Sequence, residues 1–370
     1  MSVLNNFSVS IAKGLRRLRQ NKELSDRLLP GSSTRRHGSK DGNTQLKMDK
    51  CLIVSKVTRY EYERHSHDYI SDDELVKVLR KRGSDVDSML ANHKEQKAFE
   101  ENVAKRLREM GHQVEMASRL TYNDELINWC DVVVPCGGDG TFLLAASRVR
   151  DANKPVIGFN SFPHKSVGRL CLPTWCSNDV KGALQALKEG RFRWMRRSRI
   201  RTTITCEAKV LDTITPVDLH TLQYCRYPPM SNIHENQDAQ TRDHDVTAVN
   251  SPTLSTKVLP FLALNEVFIG ESVTSRVSLL RLQIDNGQWT HTKSSGLCVT
   301  TGTGSTSWHF RYIYANVGKR PLNDLSSRKS LGLVIDGSVS FPFNDGTQAE
   351  LALHAEDALL TVHMDDALPY

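Results

Sequence analysis

The chain has 370 residues, a formal net charge of +7, 39% hydrophobic and 25% charged residues, a composition ordinary for a globular protein. At about 150 residues per domain this length accommodates two domains. No apolar run approaches the roughly 20 residues of a membrane span, and the charge excess is modest, so neither a membrane nor a nucleic-acid partner is expected.

The first forty residues carry Lys13, Arg16, Arg17, Arg19, Lys22, Arg27, Arg35, Arg36 and Lys40 against only Glu23 and Asp26, with Phe7, Val9, Ile11, Leu15 and Leu18 as an apolar stripe. An amphipathic, Arg- and Ser-rich, acid-poor start has the make-up of a mitochondrial transit peptide, so residues 1–45 are expected to be disordered and the protein to reside in the mitochondrial matrix. The alternative is a basic tail that touches RNA or membrane.

A strand is expected over 51–57 and a helix near 73–81. Phe99, Val103, Leu107 and Met110 recur at helical spacing, so a second helix covers 94–110 and stops at Gly111. A strand over 112–118, a short helix over 124–129, buried strands over 131–135 and 155–160, and a helix over 179–190 follow. This alternation predicts an α/β fold: an N-terminal doubly wound Rossmann-like domain over 46–190. Strand-like runs at 259–270, 275–285, 296–305, 331–337 and 349–364 predict a β-rich C-terminal domain over 191–370, interrupted by a polar insertion at about 212–256. No internal repeat is visible.

The eight cysteines are scattered without a CxxC pair, and the thirteen histidines form no HExxH pattern. The cysteines therefore read as reduced, buried thiols, and no metal-ligand set is expected. His65 and His67 form a pair in a polar stretch, which is more often solvated than metal-bound.

The sharpest local signal is DVVVPCGGDGTFLLAAS over 131–147, where Gly137, Gly138, Asp139 and Gly140 lie between a buried strand and a helix that starts near Thr141. Such a βα turn points unpaired N–H groups at the edge where α/β sheets bind ligands, and glycines let a phosphate come close; a purely structural turn is the alternative. Asn160 stands at a strand's carboxyl end, where it is either a site residue or a turn former before Pro163. Asn265 and Glu266 stand in an apolar strand, where a polar pair needs partners, structural or ligand. TTGTGSTSW over 300–308 is either a tight turn or a donor-rich surface for a sugar and base, and RFRWMRRSRIR over 191–201 either a phosphate-facing strand or a charged edge. Walker A, GxGxxG and Ser/His/Asp patterns are missing. Glycine amides, one carboxylate and separate polar strands fit phosphoryl transfer best, a reaction that needs positioning and charge neutralisation more than covalent machinery.

GGDGT at 137–141, IGFN at 157–160, ALNEV at 263–267 and TGTGSTSW at 301–308 together resemble the NAD kinase family, more closely its mitochondrial branch. GGDG alone is shared with diacylglycerol, sphingosine and 6-phosphofructokinases; the order of all the motifs is the specific signal. The resemblance implies ATP-dependent phosphorylation of NAD at the 2′-hydroxyl of its adenosine ribose, giving NADP, with magnesium accompanying ATP. On this chain it makes Asp139 the residue that activates or orients the hydroxyl, and puts Gly137, Gly138, Gly140, Thr141 and Asn160 along the nucleotide and its phosphates. Asn265 and Glu266 match the pair that holds the dinucleotide, and Thr306, Ser307 and Trp308 the family's Thr-Ala-Tyr segment. A homo-oligomer, a dimer, is expected. The chain departs from the pattern at Ser295, where many NAD kinases carry Asp before Gly-Leu, and at Gly302 and Trp308, where proline and tyrosine are usual. A lipid kinase sharing the GGDG loop, and an NAD-binding regulator without catalysis, stay open as alternatives.

Overall fold

The structure, a computed structural model, describes residues 8–11, 46–219, 253–271, 277–285, 287–307, 331–343 and 346–365. Two compact units divide the chain: Gly31–Arg197 with Ala358–Tyr370, and Met1–Pro30 with Ser198–Asp357.

In the first unit, Lys50–Ser55 is flanked in parallel by Gln113–Ser118 and Val132–Cys136. Parallel bridges Val133–Val156, Cys136–Phe159 and Pro155–Leu360 carry the array on to Leu359–His363, which pairs antiparallel with Arg193–Arg197. Val132 to Cys136 are buried without alternation, because helices cover both faces of the array. Cys51, Ile53, Val132 and Val134 pack on one face with Val103 and Leu107 of the Val86–Glu109 helix and with Ala183, Leu184 and Leu187 of the Val180–Lys188 helix. The side chains between them in the strands, Leu52, Val54 and Val133, are equally buried, as are Phe142 and Ala145 of the Asp139–Arg148 helix. The doubly wound expectation holds.

In the second unit a six-stranded sheet carries Ile200, Ile204, Leu259, Leu280, Ala349 and Leu351 into one core with Val267, Ile269, Leu333, Ile335 and Phe341 of a five-stranded sheet. Ile200–Glu207 alternates strictly between buried and half-exposed residues, as a strand with one face on a core should.

Several elements differ from expectation. The last strand, Leu359–His363, belongs to the first unit rather than to the β-rich one. Its run of four buried residues, Leu359 to Thr361 and Val362, is the signature of a strand covered on both faces. Arg59–Ser66, expected as loop, is a helix because Thr58 and Glu61 form a reciprocal capping box. The helix expected over 94–110 begins at Val86, capped by Asp85. Ser8–Ile11, expected to be disordered, forms a strand parallel to Ser278–Ile284 on one side and Gln348–Leu353 on the other, where Val9 and Ile11 supply the period-two apolar pattern. Of the insertion expected at 212–256, Val217–Asp218 pairs with Val339–Pro342 and the Leu254–Ala263 strand begins inside it; residues 220–252 lie outside the described residues. All seven described cysteines are free, and burial raises the thiol pKa of each.

Candidate active site

The Val132–Cys136 strand ends in the glycine turn, whose Gly137 N–H donates to the Phe159 carbonyl at 3.0 Å. The Asp139–Arg148 helix then starts with Gly138 at its N-cap and no side chain capping it. The glycines differ in what they need. A β-carbon on Gly137 would lie 2.3 Å from Thr141 Oγ1 and 3.2 Å from Lys56 Cβ, so packing alone demands glycine there. A β-carbon on Gly140 would meet nothing within 4 Å, and one on Gly138 only Ser166 Oγ at 4.0 Å. Packing against the described residues does not require glycine at those two positions, which leaves the turn open to close approach by another group.

Asp139 is half-buried, and its two oxygens accept the N–H groups of Arg169 at 3.2 Å and Leu170 at 2.9 Å. An ionised carboxylate has about four lone-pair sites. Each oxygen therefore keeps capacity for one further donor, such as a hydroxyl. The 160–170 loop that supplies those N–H groups is tied at its start by Asn160, which is 1% exposed. Asn160 Oδ1 accepts from the Phe162 N–H at 3.1 Å and the Ser166 hydroxyl at 3.3 Å, while Nδ2 donates to the Ser166 carbonyl at 2.7 Å. Gly168, at φ +61°, closes the loop over Asn160, and a β-carbon there would sit 2.7 Å from Asn160 Nδ2.

Cations gather around this turn. Lys56 follows the Lys50–Ser55 strand, its N–H bonded to the Cys136 carbonyl at 3.3 Å and its ammonium 5.0 Å from the Phe162 ring centroid. Lys165 lies 4.8 Å from the same centroid. Arg197 is drawn toward Asp139 by charge, and burial, its largest influence, pushes its pKa down. Arg197 Nε is buried and has no hydrogen-bond partner among the described residues.

In the second unit, the run expected as one strand over 259–270 is two strands, Leu254–Ala263 and Glu266–Glu271. Asn265 therefore lies in the bend between strands, and Glu266 opens the second, which corrects the expectation that both sit inside one. The cause is Asp336, whose carboxylate accepts the N–H groups of Leu264 at 2.8 Å, Asn265 at 2.8 Å and Glu266 at 3.0 Å. Burial, opposed by those three bonds, pushes the Asp336 carboxyl up to about 7.

The turn after the Leu297–Thr300 strand packs on this bend. Thr301 N–H and Thr300 Oγ1 donate to the Asn265 carbonyl at 2.9 and 3.0 Å, and Thr301 Oγ1 donates to the Leu264 carbonyl. Gly304 sits so close that a β-carbon would come within 2.1 Å of the Asn265 carbonyl oxygen. Ser307 Oγ donates to Glu266 Oε2 at 2.8 Å. Asn265 is 7% exposed and its Oδ1 is buried with no hydrogen-bond partner among the described residues. A buried amide oxygen left unpaired is costly, so a donor from a ligand is the natural complement.

A family model for the ATP-NAD kinase N-terminal domain matches residues 51–167. The mitochondrial NAD kinase 2 of Homo sapiens is 33% identical over 383 residues, covering 85% of this chain and 84% of the human protein. The chain belongs to the NAD kinase family. The Rattus norvegicus protein of the same name is 32% identical to this kinase over 396 residues, covering 89% of this chain and 90% of its own. Among solved structures, yeast NADH kinase complexed with NADH has a TM-score of 0.44 and 14% identity to the kinase, covering 86% of this chain and 85% of that one.

The kinase thus carries two clusters, one in each unit. Gly137, Gly138, Asp139, Gly140, Thr141 and Asn160 come together in the first, Asn265, Glu266 and Ser307 in the second. Thr306 ends the short 3-10 turn Gly304–Thr306, and Trp308 lies outside the described residues. Asn160 spends both its amide atoms inside its own loop, so it shapes the cluster rather than facing outward. Sequence reading missed Lys56, Asp336 and Gly168. A lysine after a buried strand and a glycine eight residues after Asn160 are faint signals, and nothing local marks Asp336, whose partners lie 70 to 72 residues away.

Proposed function

We propose that this kinase transfers the γ-phosphoryl group of ATP to the 2′-hydroxyl of the adenosine ribose of NAD, giving NADP, with Asp139 as the residue that orients that hydroxyl and takes its proton. The observation that carries the assignment is the Asp139 carboxylate: among the described residues it stands at the first residue of an uncapped helix, in a turn whose outer glycines packing does not require, with one lone-pair site on each oxygen unfilled. The N–H groups of Gly138 and Gly140 lie along the phosphates. Asn265 and Glu266 hold the dinucleotide, the unpaired Asn265 Oδ1 accepting from it and Glu266 braced by Ser307. The hydroxyl, amide and amino groups of NAD can supply the donor that this oxygen needs.

Among the described residues no group of three or more His, Cys, Asp or Glu is arranged to hold a metal. Magnesium would be carried mainly by the phosphates of ATP and by water, with Asp139 the carboxylate of the glycine turn. When bound, magnesium neutralises phosphate charge.

The basic, acid-poor N-terminus and the mitochondrial relatives support residence in the mitochondrial matrix. The assembly we propose is a homodimer; the Leu254–Ala263 strand, last in its sheet among the described strands, with Leu254 and Val258 exposed, offers a surface for a second copy. Sedimentation of the purified chain tests it, and a monomer at micromolar concentration would refute it.

The reaction itself is tested with ATP labelled at the γ-phosphate and NAD, sphingosine or diacylglycerol as acceptors. Label in NADP supports the proposal. Label in a lipid, or tight NAD binding with no ATP consumed, overturns it.

A further inference from the structure

Lys56 is a cation beside the glycine turn with no carboxylate partner among the described residues. It leaves the carboxyl end of the Lys50–Ser55 strand, and its Cβ is 3.2 Å from where a Gly137 β-carbon would stand, so its side chain emerges alongside the turn itself. Its ammonium lies 5.0 Å from the ring centroid of Phe162, in the loop whose far end bonds Asp139. Lys165 approaches the same ring, yet Lys165 already bonds Asn92 Oδ1 at 2.5 Å and Glu95 Oε2 at 3.3 Å. For Lys56 the two influences are burial and the repulsion of Lys165, both of which lower its pKa, and no carboxylate among the described residues offsets them. A cation held beside a like charge, at the mouth of a turn with two open glycines, is placed for an anion that the described residues do not provide.

We infer that Lys56 is a ligand of the donor's polyphosphate, binding the phosphates of ATP beside Gly137 to Gly140 and neutralising charge as the γ-phosphoryl group moves. This rests on the phosphoryl-transfer reading of the glycine turn. The chemistry it requires is a phosphate oxygen, which NAD also carries; the position beside the glycine turn assigns it to ATP.

The test compares the full chain with Lys56→Met, Lys56→Arg and Lys165→Met. Magnesium-ATP binding is measured at equilibrium, and KM for ATP and for NAD in the steady state. Lys56→Met is expected to weaken ATP binding and raise KM for ATP by at least about tenfold, about 1.4 kcal/mol, with KM for NAD within about twofold of the parent. Lys56→Arg restores most of the affinity, and Lys165→Met, whose charge is already partnered, costs less than Lys56→Met. Unchanged ATP binding by Lys56→Met, or a rise confined to KM for NAD, overturns the assignment. Because binding is read without turnover, the result stands whether or not NADP is made; a parent chain that binds ATP but makes no NADP would sink the reaction assigned above and leave Lys56 judged on binding alone. The Lys56 side chain reaches solvent while its ammonium is partly desolvated; should Lys56→Met melt earlier than the parent, Lys56→Gln replaces it in the same measurements.

Discussion

Asp139 and Leu170 are joined across 31 residues of chain: the Asp139 Oδ1 accepts the Leu170 N–H at 2.9 Å. The loop that delivers this N–H is anchored at its other end by the Asn160 amide, on Phe162 and Ser166. Replacing Asn160 by Ala removes the anchor and lets the Arg169–Leu170 N–H pair drift from Asp139. The expected outcome is a folded kinase with kcat reduced by about 10- to 100-fold, since misplacing a reacting group by about 1 Å costs that much. Nucleotide affinities change less than kcat. An Asn160→Ala variant with parental kcat would show that the loop does not position Asp139.

The glycines of the turn make opposite predictions. Gly137→Ala forces a methyl group against Thr141 Oγ1 and should destabilise the fold by about 1–3 kcal/mol, read from chemical denaturation. Gly140→Ala has room, lies in the first turn of a helix, and should leave stability unchanged or raise it by up to about 1 kcal/mol. It should nonetheless raise KM for ATP, because the methyl occupies the approach of a phosphate. A Gly140→Ala kinase with unaltered KM for ATP would remove the phosphate from that face.

The contrast shows which parts of the molecule were legible before the structure. Strands such as Val132–Cys136 and helices such as Asp124–Trp129 follow from short-range pattern, and the glycine turn is marked by composition alone. The order of the four motifs also points to the family. The Arg59–Ser66 helix was readable from Thr58 and Glu61 at capping-box spacing, but its tyrosines and charges hide any apolar face. The break between Ala263 and Glu266 was not legible, because LPFLALNEV reads as one apolar run and the residue that interrupts it, Asp336, arrives from a distant hairpin. Lys56 is of the same kind: its closeness to Gly137 exists only once parallel strands are paired.

Asp336 gives the second unit a pH dependence. Its carboxyl is raised from the ordinary 3.8 to about 7, burial outweighing the N–H groups of Leu264, Asn265 and Glu266. A carboxyl whose pKa is higher folded than unfolded adds stability that is complete below the unfolded value and is lost as pH rises through the folded one. The parent should therefore lose stability between about pH 4 and pH 7 from this group. Asp336→Asn lacks that slope and leaves one N–H without an acceptor, a cost of about 1–3 kcal/mol. The gap between parent and variant should be larger near pH 5 than near pH 8. A gap independent of pH in thermal melts would show that Asp336 does not titrate in this range.

Ser8–Ile11 fills the place between Ser278–Ile284 and Gln348–Leu353. Removing residues 1–7 should leave the melting temperature unchanged, whereas removing residues 1–12 should lower it by at least about 3 °C. Equal melting of the two truncations would mean that the strand contributes nothing to the sheet.

The measurement that bears most directly on Asp139 is NADP formation and NAD binding by the full chain and by Asp139→Asn, supplied with NAD, ATP and magnesium. The substitution preserves the size of the side chain and one acceptor oxygen for the loop while removing the charge that takes the hydroxyl proton. The expected result is NADP from the parent, turnover lowered by at least about a hundredfold in the variant, and NAD affinity within about threefold of the parent. Turnover by Asp139→Asn equal to that of the parent would exclude Asp139 from the transfer.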